Sequence, residues 1–381
     1  MINLAQKDIS HTLGKFMVTA MGVGMLLGIV LIMIGVYRGM IVDAKSLLND
    51  IGADLWVVQQ DTLGPFAESS RIHEDLKNTI KAINGIDKTA AITFQNIQLP
   101  APAIPIKVTA VGYDPFGEIF PINPKKVVAG RVLKKDHYEI VASQKTGLKL
   151  HDKIKLGRHE YSIVGITKET VASGGDPLIF LSFKDAGELQ FSYSNNRIRT
   201  DRIRGLKTGN SHLANTVVAT IKAGYNIDEI ADEIRKFQHK SVYTADQQKH
   251  ILTKKVIQNA SKQIGLFTVI LVAVSTIIIA LIIYTMTLEK MKEITIMKLI
   301  GIPNSIIIKM VVQETMLLGI LAFVFGNIFA HLIYKIFPKR IILLFPDAWS
   351  LFMIVIIASI LASIVAIRKV IKADPVSAIG G

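Results

Sequence analysis

The sequence predicts an α-helical membrane protein with four transmembrane helices and a large extracytoplasmic α+β domain inserted between spans one and two. Three observations predict it. Half of the 381 residues are hydrophobic, and the mean hydropathy is +0.41. The apolar residues gather into four runs, each long enough at about 1.5 Å per residue to cross a hydrocarbon core of about 30 Å. The interval between the first two runs, 39–262, has ordinary polar composition, with 31 Lys and Arg against 24 Asp and Glu.

Span one is 16–37, behind a short segment 1–15 that carries Lys7 and Lys15. Its run is longer than a signal-peptide h-region and ends in Gly-Val-Tyr-Arg-Gly, so a retained anchor is expected. Spans two, three and four are 264–288, 306–334 and 348–367. The first, second and fourth hold no charged residue. The third carries Lys309, Gln313 and Glu314 in its first turns and His331 near its end.

Lys/Arg bias orients the chain. With the N-terminus inside, the inner segments hold Lys7, Lys15, Lys290, Lys292, Lys298, Lys309, Arg368, Lys369 and Lys372, against Lys335, Lys339 and Arg340 in the short outer loop. This places 1–15, the loop 289–305 and the tail 368–381 in the cytoplasm. The chain is then expected to be a multi-pass protein of a cytoplasmic membrane with 39–262 outside.

Alternation of apolar and polar residues predicts strands at 90–99 and 106–113, Gly and Asp turns set off short strands at 139–143, 153–157, 161–166 and 177–182, and 54–59 and 216–222 also read as strands. Helical spacing predicts helices at 73–83 and 227–238, and 249–263 is expected to run as a helix into span two. The domain is expected in two lobes, with a β-rich lobe at about 115–210.

Several function classes are excluded. The net charge of +14 is spread beside apolar runs and across the domain, which fits anionic lipid head groups and not nucleic acid. There is no cysteine, hence no disulfide and no thiolate metal site. No G-x-x-x-x-G-K-[ST] occurs, so the chain holds no P-loop. No catalytic residue, metal ligand set or resident cofactor is readable, and the chain is not expected to be an enzyme.

The segment 287–307 draws attention instead. Ile294, Met297, Ile300 and Gly301 are read on one face of a short helix, with Glu289, Lys290, Lys292, Glu293 and Lys298 elsewhere. Such a helix either lies in the membrane interface or docks into a partner's groove. Span one carries Met17, Met21, Met25 and Met33, with Met40 just beyond, and the pairs Gly24-x-x-x-Gly28 and Gly35-x-x-x-Gly39. The methionines either meet a soft, hydrophobic substrate or pack against helices and lipid. The glycines allow two helices to approach closely. Glu314 is expected to pair at its helix end or to meet interfacial water, and His331 to face head groups. The basic loop Arg197 to Lys207 is expected to be a solvated face.

The stretch KMKEITIMKLIGIPNSII resembles the cytoplasmic loop of the MacB/FtsX-like ABC permease family. So do RGMIVDAKSLLNDIGADLWVVQ (38–59), EIVASQKTGLKLHDKIKLGRHEYSIVGITK (139–168) and the ending RKVIKADPVSAIGG (368–381), with its Asp374-Pro375 and Ala378. The resemblance covers essentially the whole chain and is nearest to DevC-like and HrtB-like members, whose ATPase is a separate subunit. It implies an ABC exporter permease that works as a homodimer, with ATP and Mg on the partner ATPase. It implies mechanical transmission that exports or extracts a hydrophobic or amphipathic substrate, lipid-like or haem-like. A periplasmic adaptor and an outer-membrane channel are further candidate partners. Glu289, Lys290, Glu293, Met297, Lys298 and Gly301 then form the ATPase-coupling segment. Met25, Gly28, Met33, Gly35 and Met40 are assigned to a substrate path or dimer seam. An FtsX-like transmitter acting on a cell-wall hydrolase and a lipoprotein-releasing permease are the alternatives.

Overall fold

A computed structural model describes residues 13–99, 105–193, 213–337 and 339–371. The basic loop 197–207, Lys7, Lys372 and the ending at Asp374 to Ala378 lie outside the described residues. The chain divides into two compact units: Met40–Asn259, and Met1–Gly39 with Ala260–Gly381.

The first helix, α1, runs from Leu13 to Ile51, well beyond the apolar run. Ala44, Leu47, Leu48 and Ile51 continue a helical stripe that is buried in the first unit. Gly52 ends the helix at φ +64°, donating its N–H to the Leu48 carbonyl at 3.2 Å. There follow β1 (Leu55–Val58), β2 (Ile72–His73), α2 (Leu76–Lys81), β3 (Ile86–Leu99), β4 (Ile106–Tyr113) and β5 (Val127–Gly130). Next come β6 (Glu139–Ser143), β7 (Lys153–Leu156), β8 (His159–Thr167), β9 (Leu178–Ser182) and α3 (Phe183–Tyr193). The unit closes with β10 (Leu213–Ala214), β11 (Thr216–Ile221), α4 (Ile227–Gln238), β12 (Ser241–Thr244) and α5 (Ala245–Ile251).

Ten strands form one sheet in the order β12-β1-β11-β3-β4-β9-β6-β8-β5, with β7 on β8, while β2 and β10 pair separately. The β4–β9 and β6–β8 pairs are parallel and the other neighbours antiparallel. The strands expected as a separate β-rich lobe are therefore one end of a continuous sheet. The two faces differ. On one, a single core joins Trp56, Val218, Ile92, Val111, Phe180 and Val141 beneath Leu47, Leu48 and Ile51 of α1. On the other the core is split. Ile230 and Ile234 of α4 and Ile80 of α2 cover Leu55, Val57 and Val217, while Ala186 and Leu189 of α3 cover Ile140, Ile163 and Ile179. Strands buried on both faces lose the two-residue alternation, and β6 and β9 are buried at every residue.

Local chemistry fixes the ends. Asn226 caps α4, and Asp228 and Glu229 fill its first turn, complementing the helix dipole. Thr244 and Gln247 form a capping box at the start of α5. A π-helical turn, Leu252–Val256, follows before the next helix begins. Glu139 accepts both Nη atoms of Arg131, at 2.9 and 2.6 Å, and the N–H groups of Lys134 and Lys135, which pins the 131–135 loop to β6. The Arg131 guanidinium, aided by those N–H groups against the cost of burial, holds the Glu139 carboxyl down at about 2.

The second unit holds α6 (Gln258–Glu289), α7 (Met291–Leu299), α8 (Asn304–Ile333) and α9 (Phe345–Ile371) beside the first part of α1. Among the described residues, four helices are long and apolar enough to cross a membrane: Leu13–Ile51, Ala260–Glu289, Asn304–Ile333 and Phe345–Arg368. Helices α1 and α8 meet backbone to backbone. A Cβ on Gly24 would lie 2.7 Å from the Ala322 carbonyl oxygen, one on Gly28 2.8 Å from that of Gly326, and one on Gly326 2.6 Å from that of Gly24. Helices α8 and α9 meet through Gly319 beside Ser359 and through the edge-on rings of Phe323 and Phe352, 5.2 Å apart.

Two outcomes follow from this packing. Gly28→Leu or Gly326→Leu should destabilise the detergent-purified chain by about 1–3 kcal/mol through overpacking. Gly22→Leu should not, because a Cβ at Gly22 meets nothing within 4 Å. Thermal unfolding of the three variants checks this, and equal behaviour of all three would remove the seam from the account. The second outcome concerns acid. The folded pKa of Glu139 lies below its unfolded value, so its contribution is present above pH ~4.5 and disappears as pH falls toward about 2. Glu139→Gln should cost about 2 kcal/mol at pH 7, allowing for the solvent-facing side of Arg131. The gap from wild type should narrow steadily as unfolding is measured from pH 5 down to pH 2.

Candidate functional site

The connection from α6 to α8 is built as a rigid, surface-facing element. Helix α7 follows α6 after a single residue, Lys290, and keeps its helical bonds, with the Ile294 N–H donating to the Lys290 carbonyl at 2.9 Å. At its far end the Ile302 N–H donates to the Met297 carbonyl and the Gly301 N–H to that of Lys298, both at 3.0 Å. These are the paired bonds of a Schellman turn, with Gly301 at φ +90°. A Cβ on Gly301 meets nothing within 4 Å, so the glycine is required for its backbone conformation and not for a close approach. Pro303 then precedes α8 in an extended conformation.

A buried ion pair anchors this element. Lys290 Nζ lies 3.2 Å from Glu314 Oε1, with the side chains 11% and 8% exposed. Breaking a buried pair is far costlier than losing an exposed one, because desolvated charge is left behind with fewer partners. Glu289 pairs with Lys15 at 2.6 Å, but both side chains are more than half exposed, and that link adds little. Lys298 Nζ reaches the Ile371 carbonyl at 3.4 Å.

The six residues assigned to coupling therefore divide. Glu293 and Gly301 are exposed, Met297 and Lys298 are half-buried, and Glu289 is exposed and tied to Lys15. Lys290 is the correction: it is buried and turns inward to Glu314. The apolar face is corrected too. Ile294 is buried against the bundle, whereas Ile300 is 76% exposed, because six residues along a helix point to different sides. The outward apolar set is Ile296, Leu299 and Ile300, at i, i+3 and i+4. That spacing is legible in the sequence, but periodicity alone does not say which of two apolar faces packs inward.

The residues assigned to a path or seam also separate. Gly28 packs on Gly326 and Phe329, and Gly35 on Ile341 and Leu343, all within the same chain. Neither glycine is open to a second copy, which corrects that assignment. Met25 is about half exposed, together with Val18, Met21 and Ile29 along α1. Met33 is half-buried, and Met40 is half-buried and belongs to the other compact unit. Helix α6 buries Ser275, Ile279, Ile283, Met286 and Thr287, while Leu266, Val269, Ile277 and Leu281 are each about 60% exposed or more.

The chain resembles known proteins along its whole length. Residues 16–237 match the MacB-like periplasmic core domain and 265–375 the FtsX-like permease C-terminal domain. It is 23% identical over 382 residues to an uncharacterized ABC transporter permease of Mycobacterium tuberculosis, covering all of both chains. It is 23% identical over 394 residues to a Staphylococcus haemolyticus protein that carries the name of a hemin transport system permease, HrtB, covering 100% of this chain and 99% of that one. Among solved structures, the extracellular domain of the transporter YknZ from Gram-positive bacteria aligns with a TM-score of 0.34 at 13% identity, over 50% of this chain and 98% of that one. The periplasmic region of MacB from Actinobacillus actinomycetemcomitans aligns at 0.33 and 11%, over 53% and 94%. With both characteristic domains matched in order, the chain belongs to the MacB/FtsX family of ABC transporter permeases.

Proposed function

We propose that this permease couples ATP hydrolysis on a separate ATPase subunit to the export or extraction of a hydrophobic or amphipathic substrate. The observation that carries the coupling is α7. It is a short helix, closed by a Schellman turn and anchored by Lys290–Glu314, that presents Ile296, Leu299 and Ile300 outward beside Lys292 and Glu293. An apolar triad ringed by charge suits a groove in a partner better than bulk water. Motion imposed on α7 has a covalent route to the sheet domain through α6 and the π turn to α5; a second route runs through the packing of α8 on α1, whose far end supplies Leu47, Leu48 and Ile51 to the domain core.

In this reading α7 lies in the cytoplasm and 40–259 outside, as the Lys/Arg bias requires. The chain works as a dimer, with the seam on the open faces of α6 and α1 and not on the glycines. The haem-like member of the substrate class is supported by the name of the staphylococcal relative, and the soft, exposed Met21 and Met25 suit such a molecule. The large sheet domain favours a transport role over the smaller domain expected of a hydrolase-linked transmitter.

Leu299→Asp with Ile300→Asp should lower co-purification of the ATPase by about tenfold or more, since two apolar contacts are lost. Membrane insertion and thermal stability should stay as in wild type. Unchanged assembly and unchanged substrate-stimulated ATP turnover would reduce α7 to an interfacial helix. Because the chain has no native cysteine, single cysteines report cleanly on the rest. In intact cells an impermeant thiol reagent should label Lys153→Cys and not Ser305→Cys. In membranes Ile277→Cys should crosslink two copies while Gly28→Cys does not. The reverse labelling would invert the topology, and the reverse crosslinking would restore the glycine seam.

A further inference from the structure

A cavity of about 340 Å³ opens at the end of the membrane unit where α8 gives way to α9. Its apolar wall includes Leu31, Leu343 and Phe345; its polar groups are Asn327, His331 and Asp347. An apolar groove along α8, lined by Phe323, Val324, Ile328 and Leu332, shares Asn327 and His331 with the cavity. Cavity and groove are thus one surface: a hydrocarbon track that ends in a polar chamber. We propose that this surface is a lipid site, which takes the hydrogen-bond-donating head of one membrane lipid in the cavity and its acyl chain in the groove.

The polarity of the chamber selects the head. His331 Nδ1 lies 2.9 Å from the Asn327 backbone carbonyl oxygen, which only accepts, so Nδ1 carries the proton. In the neutral ring Nε2 is then an acceptor. Asp347 is held by Arg38 through both oxygens, with Nη2 donating to Oδ1 at 2.6 Å and Nε to Oδ2. Each oxygen keeps a further lone pair. Asn327 adds an amide of either sense. The chamber therefore offers acceptors, and its complement is an ammonium or hydroxyl head, not one that lacks donors. The volume is about that of ten waters and sits at the low end of small-molecule sites, enough for a phospholipid head.

The location is held in place by the same chain. The Ile342 N–H donates to the Gly35 carbonyl at 3.1 Å, and a Cβ on Gly39 would overlap the Arg340 carbonyl. With Arg38–Asp347, these contacts lash the 340–347 segment to α1, so the chamber does not need a ligand to form. The inference goes beyond the coupling reading and does not depend on it.

The experiment compares two lipids that differ in head-group donors. The full chain, purified in mixed micelles holding equimolar phosphatidylethanolamine and phosphatidylcholine, is examined by native mass spectrometry. One phosphatidylethanolamine per chain should be retained with about tenfold preference over phosphatidylcholine. Ala348→Trp, which fills the chamber, and His331→Phe, which removes the acceptor at an exposed position, should each bring that preference down to about one. Soluble glycerophosphoethanolamine should not displace the lipid. Equal retention of the two lipids by wild type, an unchanged preference in both variants, or full displacement by the soluble head would overturn the proposal.

Discussion

The contact on which the membrane unit depends is the close backbone approach of α1 to α8 at Gly24, Gly28 and Gly326. Gly24 and Gly28 face Gly326 so closely that each carbonyl occupies the space of the other helix's missing Cβ. In lipid, apolar side chains gain little by leaving hydrocarbon for one another, so close backbone packing carries helix association. Fixing α1 against α8 has a second effect. It commits one side of α1 to the bundle and leaves Val18, Met21, Met25 and Ile29 exposed. A face that is apolar, exposed and rich in thioether is then a consequence of where the glycines lie.

The sheet domain shows the same economy of faces. One face carries a single core beneath the end of α1, so the whole sheet is one mechanical body on that side. The opposite face has two cores, one under α2 and α4 and one under α3. A displacement that entered through Leu47, Leu48 and Ile51 would meet the unified face. The pairing of Glu139 with Arg131 and two backbone N–H groups stiffens the connection into β6, at the divided end.

Much of this was legible in the sequence, and the reasons for the rest are specific. The spans stood out because runs such as 264–288 contain no charge. Strands β4 and β6 were legible to the residue, since turn-forming residues bracket short apolar runs. The extension of α1 past Tyr37 was not, because Asp43, Lys45 and Asn49 interrupt the apolar run, although Leu47, Leu48 and Ile51 keep helical spacing. Strands β2 and β10 have two residues each, too short for alternation to register. The glycine pairs were legible as close-packing positions, but a small-residue motif does not name its partner helix. Gly326, the residue that answers them, has no second glycine four residues away in α8.

Lys290 and Glu314 were each visible as charges near a span, and neither could be paired from sequence. They lie 24 residues apart on elements joined by a turn. Their pairing explains an otherwise awkward feature, a charge on a helix that must sit against an apolar bundle. An ion pair held inside such a setting is weak as a source of net stability, because desolvation offsets attraction. It is strong as a determinant of geometry, because only one orientation of α7 brings the ammonium to the carboxylate. That orientation places Ile294 inward and Ile296, Leu299 and Ile300 outward. The buried charges thus decide which apolar residues of α7 remain for a partner, a choice that hydrophobic periodicity leaves undetermined.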